Sequence, residues 1–183
     1  MANTVSNVAV GKPAVNGAIS VADLSTTPPT SATASLSGYT SLGYVSDDGA
    51  VNSFDQDTTE VKAWGGDTVY SGGNGKTVTW KVTLIEVLNV DVLKTVFGSG
   101  NVSGALNSGI TLTINNDEPD EQVVVIDTIL RGAIRRIVLP DAKVTEVADI
   151  TYKDDEVVGY EITFTCFPDS SGNPQYEYTI ETS

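Results

Sequence analysis

Between Thr77 and Leu84 the chain alternates strictly. Val78, Trp80, Val82 and Leu84 fall on one face, and Thr77, Thr79, Lys81 and Thr83 on the other. A period of two predicts a half-buried antiparallel strand. The period changes after Asn89, where Val92, Leu93, Val96 and Phe97 recur at helical spacing and predict a helix over about 90–97. Asn89 fits its N-cap, Asp91 suits the first turn, and Gly98 suits the position just past the end. So short a helix is unstable alone and needs a sheet to dock on. Downstream, Ile110, Leu112 and Ile114 alternate over Ile110–Asn115, and Gln122–Leu130 is apolar enough for both faces to be covered, as in the middle of a sheet. Gly132 turns it into Ile134–Leu139, which Pro140 is expected to stop. Ala142–Thr151 alternates again. Val158, Tyr160, Ile162, Phe164 and Cys166 share a face of Val157–Phe167, and Tyr176–Ile180 forms a last strand.

Upstream the signal is weaker. Tyr39–Val45 enters a strand, Ser46-Asp47-Asp48-Gly49 reads as a turn, and Val51–Thr58 as a polar, acidic loop. Thr59–Trp64 alternates as a short strand ending in a Gly65-Gly66 turn. Ser71–Gly75 and Gly98–Gly109 read as loops. Residues 1–38 carry only Lys12 and Asp23 as charges, with possible short strands at Val8–Val10 and Ala18–Val21. So little charge is a poor match to a solvated tail, and predicts an extended arm that orders against another subunit. The expected fold is mainly β: an antiparallel β-sandwich or barrel over 39–183, with one short flanking helix and an N-terminal arm over 1–38.

Composition removes several functions. The 183 residues carry a formal charge of −14, with 24 acidic against 10 basic residues. Such a field repels nucleic acid, whose binding needs clustered Lys and Arg. There is no histidine, the commonest general base and metal ligand, and the single Cys166 reads as a small buried hydrophobe. No catalytic, cofactor or metal site is expected. Gly72–Thr77 ends in G-K-T but lacks the phosphate-loop spacing and leads into a strand. The acidic clusters at Asp47-Asp48, Asp55/Asp57, Asp117–Glu121 and Asp154–Glu156 lack a calcium-loop pattern and read as solvated turns. The first ten residues lack a basic start followed by an apolar run, and no stretch approaches a membrane span of about 18 apolar residues. A soluble chain made in the cytoplasm is expected. Trp80 reads as core. Trp64 is either a corner residue under its turn or an interface anchor. Arg131, Arg135 and Arg136 either pair with carboxylates, within the chain or across a subunit boundary, or form a solvated hairpin face.

Two blocks then carry a resemblance: GYVSDDGAVNSFDQDTTEVKAWGGDTV at Gly43–Val69 and VTWKVTLIEVLNVDVLKTVFG at Val78–Gly98, after a small-residue opening at Met1–Pro13. In this order and spacing they resemble the major tail (tail tube) proteins of long flexible-tailed bacteriophages, particularly those of actinobacterial and related Gram-positive hosts. The second half matches only in strand pattern. The resemblance implies a virion protein with no enzymatic activity, assembled in the host cytoplasm. Six copies would close into a ring through a shared inner β-barrel, and rings would stack into a tube through which DNA passes without specific binding. The implied partners are the chain itself, the tape-measure protein, and the tail-tip and tail-terminator proteins. Expected inter-subunit or inter-ring contacts are Tyr44, Asp47, Asp48, Phe54 and Asp57, with Trp64, Arg131, Arg135 and Arg136. The alternative is a surface-exposed β-sandwich adhesin or pilin-like subunit.

Overall fold

A computed structural model describes residues 3–14 and 17–182; the outermost residues of the expected arm, 1–2, and its residues 15–16 lie outside that description. The described residues form eleven strands and one α-helix. Those strands are β1 (Lys12–Pro13), β2 (Ile19–Asp23), β3 (Thr40–Ser41), β4 (Val45–Lys62), β5 (Thr68–Leu84), β6 (Val102–Ala105), β7 (Gly109–Leu112), β8 (Gln122–Leu130), β9 (Ala133–Val147), β10 (Tyr160–Cys166) and β11 (Tyr176–Glu181). The helix α1 (Val90–Phe97) lies between β5 and β6.

The main sheet runs β3-β2-β8-β9-β10-β5-β4, with β1 added to β8 and β11 to β9. Every pairing is antiparallel. β6 and β7 make a separate hairpin. Although β2 and β4 lie near opposite ends of this order, Ile19 and Val21 share one core with Trp80, Val82, Leu84 and Phe164. The sheet therefore curls over itself into a sandwich-like body. No pairing joins β4 to β2, so among the described residues no closed barrel forms.

β9 is the hinge of this arrangement. One edge pairs with β8 along most of its length; the other pairs with β11 over Ala133–Val138 and with β10 over Ala142–Val147. Pro140 sits at the changeover, opposite a register shift in β8 between Gln122 and Val124. It was expected to stop the strand and does not. A bulge leaves one residue outside the ladder, so the missing proline N–H costs nothing there.

The helix falls where the spacing placed it. The Asn89 Oδ1 accepts from the Asp91 N–H at 3.0 Å, and Gly98 takes the positive φ of 92° that ends it. Val92, Leu93 and Val96 are buried, and Phe97 meets Tyr160 edge-to-face at 5.4 Å. Each such aliphatic side chain contributes roughly 1.5–3 kcal/mol of burial, which supplies what eight helical residues lack alone.

Four expected loops are strand or hairpin instead. Ser46–Gly49 is a bulge inside β4, with Gly49 at φ 77° where the ladder steps from the Val45–Leu84 pair to the Ala50–Val82 pair. Val51–Thr58 continues β4, Ser71–Gly75 lies within β5, and Gly98–Gly109 contains the short 3-10 turn Ser99–Asn101 and β6. Val51–Thr58 is polar because it lies mostly open to water, and its strand character comes from the backbone ladder, whereas Gly98–Gly109 buries Gly98, Asn101 and Val102. β7 ends at Leu112, short of Asn115, and Val8–Val10 is not a strand, a 3-10 turn at Val5–Asn7 preceding it.

Arg136 is buried. Its guanidinium grips Asp127 with Nε to Oδ1 at 2.8 Å and Nη2 to Oδ2 at 2.7 Å. Its Nη1 also donates to the Ala34 and Ser31 carbonyls, so the loop between β2 and β3 is pinned to the sheet. Replacing Arg136 with Ala should cost about 3–5 kcal/mol, because Asp127 is left as an unpaired, largely buried charge; urea unfolding of the purified chain measures this.

Asp141, beside the β9 bulge, has a buried Oδ1 without a hydrogen-bond partner. Burial, then the nearby Glu121, raises its carboxyl pKa above the ordinary range. A raised carboxyl favours the fold while protonated, and that contribution is lost as pH rises through its folded pKa. Asp141→Asn should therefore raise Tm at pH 7, and the gain should shrink as pH falls through the raised folded pKa and be gone by about pH 4. A pH-independent difference would contradict this.

Candidate assembly surfaces

The largest surface feature is an arm. Pairing of β5 with β10 ends at Val78–Cys166, and beyond that point β4 and β5 pair only with each other. Residues 54–71 are all exposed. At about 3.3 Å per residue, nine residues from Asp55 to the tip project the arm roughly 30 Å from the body. Its tip is a tight turn, with the Ala63 N–H donating to the Asp67 carbonyl at 2.8 Å and the Gly66 N–H to the Ala63 carbonyl at 3.0 Å. Gly65 and Gly66 hold φ of 138° and 100°, which a side chain would resist. Further back, a Cβ on Gly72 would lie 2.5 Å from the Tyr70 hydroxyl and one on Gly73 2.9 Å from the Gln56 amide nitrogen. The two glycines thus let those side chains fold flat across the ribbon.

The arm is apolar for something so exposed. Phe54, Val61, Trp64, Val69 and Tyr70 all face solvent, Trp64 completely, so it packs under nothing in this chain. The arm also carries Asp55, Asp57, Glu60 and Asp67 against Lys62 and Lys76.

The remaining expected contacts are distributed around the body. Asp47 and Asp48 lie on the β4 bulge and rim a groove of about 750 Å³ floored by Ile19, Trp80, Ile126 and Ile137, with Arg135 also in its wall. Arg135 reaches Thr179 at 3.2 Å and Glu177 at 3.7 Å on β11. Tyr44 is exposed, and its N–H donates to Glu86 Oε1 at 2.9 Å. The other oxygen of Glu86 accepts from Asn89, tying this loop to the helix start. Arg131 borders a second groove, formed with Val5, Val8, Val10, Ile129 and Leu130. Of the three arginines, Arg136 is turned inward to Asp127, Arg135 is half-buried against β11, and Arg131 is exposed. The nine residues thus fall in several places: Phe54, Asp57 and Trp64 on the arm, Asp47, Asp48 and Arg135 around one groove, Tyr44 and Arg131 apart from these, and Arg136 inside the body.

Sequence reasoning missed Gln175 and Glu86. Gln175 Oε1 accepts from Trp80 Nε1 at 2.8 Å and from Asn52 at 3.2 Å, joining β4 and β5 to the segment leading into β11. Neither stands in a periodic pattern; Glu86 lies within the Val78–Gly98 block and Gln175 outside both blocks.

The acidic turns have structural work. Lys143 Nζ bonds Glu118 at 2.6 Å and holds its carboxyl below the usual range. Asp120 accepts the Ser99 N–H, and Asp117 accepts from Asn115. Among the described residues no three His, Cys, Asp or Glu side chains converge as metal ligands, and no helix is long and apolar enough to cross a membrane. Cys166 is buried, which pushes its thiol up to about 12.

No curated protein matches the chain. Among solved structures, one described as a cryo-EM structure of the anti-feeding prophage cap, the AFP tube terminating cap, aligns over 98% of this chain and 100% of that one at 12% identity, with a TM-score of 0.43. That likeness is too loose to carry an inference. The family described as phage tail tube protein matches residues 1–182, essentially end to end. With a curled antiparallel sheet, a projecting two-stranded arm and an acidic surface, the chain belongs to the phage tail tube protein family.

Proposed function

We propose that this chain builds the tube of a long flexible phage tail by closing into rings of six that stack, leaving a channel for DNA. The observation that carries the reading is the arm. A two-stranded ribbon is marginally stable in water, and this one exposes five large apolar side chains together with the outer edge of an 18-residue strand. Exposed edges and contiguous apolar surface are liabilities unless a partner covers them. Arms from neighbouring copies, paired edge to edge, would supply the inner β-barrel that one chain does not close.

Residues 1–38 serve in this reading as the segment that engages a neighbour, anchored to its own sheet through β2, while 39–183 form the tube domain. Tyr44, Asp47, Asp48, Phe54, Asp57, Trp64, Arg131 and Arg135 are its candidate contacts, whereas Arg136 acts from within by holding the 24–39 loop. The net charge of −14 supports a channel wall that repels phosphates and lets DNA slide. A heterologous face repeated along an axis gives an open filament, to which tape-measure, tail-tip and terminator proteins would set length and ends. Assembly in the host cytoplasm follows from the same reading. The phage is placed among those of actinobacterial or related Gram-positive hosts on the resemblance of Gly43–Val69 and Val78–Gly98 alone. Family membership leaves the adhesin or pilin-like alternative without support.

Negative-stain electron microscopy of the purified chain over a concentration series tests this reading. Hollow rings or tubes are expected. Compact monomers that persist at high concentration and after adding a tail-tip initiator would overturn it.

A further inference from the structure

The arm tip and one groove of the body are complementary. Trp64 stands fully exposed on a turn fixed by two backbone hydrogen bonds, so its indole is presented at little entropic cost. The groove beside the β8–β9 turn, about 530 Å³, is walled by Val8, Val10, Ile129 and Leu130, and Lys12 and Arg131 border it. That volume accommodates an indole.

Charge singles this groove out. The groove beside the β4 bulge is rimmed by Asp47 and Asp48, the one near Tyr44 includes Glu86, and the one under Phe54 includes Glu177. The groove at Ile129 is lined by cations and no carboxylate. In a chain of net charge −14, neither Lys12 nor Arg131 has an ion pair among the described residues. The arm brings four carboxylates against two lysines, with Asp67 in the tip turn beside Trp64. A carboxylate steers towards such cations, and a cation over an indole face adds attraction of its own. The tip is unburied in its own chain, so its occupant role falls to another copy.

We infer that Trp64 of one subunit seats in the Val8–Leu130 groove of a second copy, with Asp67 against Arg131. This rests on the tube reading and specifies one of its joints. It makes the arm a peg and the start of the chain one wall of the socket, so each subunit carries both halves of the joint and the contact repeats from copy to copy.

The test uses the full chain and follows the critical concentration for assembly by light scattering, with microscopy of the product. Trp64→Ala touches no core residue and should raise that concentration about tenfold or more, the effect of truncating an interface anchor. Trp64→Phe should recover part of it. Asp67→Lys and Arg131→Asp should each raise it about three- to tenfold, and the double variant should return towards wild type. Assembly of Trp64→Ala at the wild-type concentration, while wild type forms tubes, would overturn this joint and leave the tube reading standing. Failure of the double variant to recover would remove the Asp67–Arg131 contact and with it the assignment to this groove. A wild-type chain that never assembles would overturn both.

Discussion

The structure depends on the backbone ladder of β9. Its fifteen residues pair with β8 along one edge, and with β11 and then β10 along the other. Because the second edge changes partner at the Pro140 bulge, the sheet forks and can curl. One branch, through β10, carries β5 and β4 round to face β8 and β2. Buried Ile137, Val138, Leu139, Ala142 and Val144 line that strand, so the hydrogen-bonded fork is also the centre of the core. On the same strand, Arg136 turns inward to Asp127 and fastens the loop between β2 and β3. The arm is the free extension of the curled branch, and its direction is set at the point where β10 stops.

Where burial followed a simple period, the sequence could be read directly. Val78, Trp80, Val82 and Leu84 are all core, α1 has the expected cap and end, and β8 spans Gln122–Leu130 as its apolar run indicated. The mainly β, sandwich-like fold followed from these elements. The arm was only partly legible: the strand at Thr59–Trp64 and its Gly65-Gly66 turn could be read, but its length could not, because periodicity reports one buried face and residues 54–71 have none. Glycines that read as a loop in Ser71–Gly75 instead make room for Tyr70 and Gln56 on a flat ribbon. Pro140 misled for a related reason, since its position at a bulge depends on the partner strand and cannot be seen in β9 alone.

The surfaces were less legible than the fold. Trp64 stood out by its neighbours, and its exposure leaves it free to act outside its own chain. The three arginines looked alike in sequence, yet the pairing register separates them into a buried clamp, a partner for β11 and a cation that has no ion pair among the described residues, beside an apolar groove. Clusters of acidic residues likewise divide into turn and ion-pair partners around Glu118 and, along the arm, charges with no ion pair among the described residues. Distinctions of this kind come from three-dimensional neighbours, and they decide which charges remain for other subunits.

The central claim is that the two-stranded arm is the joint between subunits. Hydrogen exchange followed by mass spectrometry, on the same preparation as monomer and as assembled tube, tests it most directly. The account predicts that amides of residues 55–77 exchange quickly in the monomer, where only the marginal ribbon ladder protects them, and become strongly protected in the tube. Arm amides that exchange equally fast in both states would contradict it.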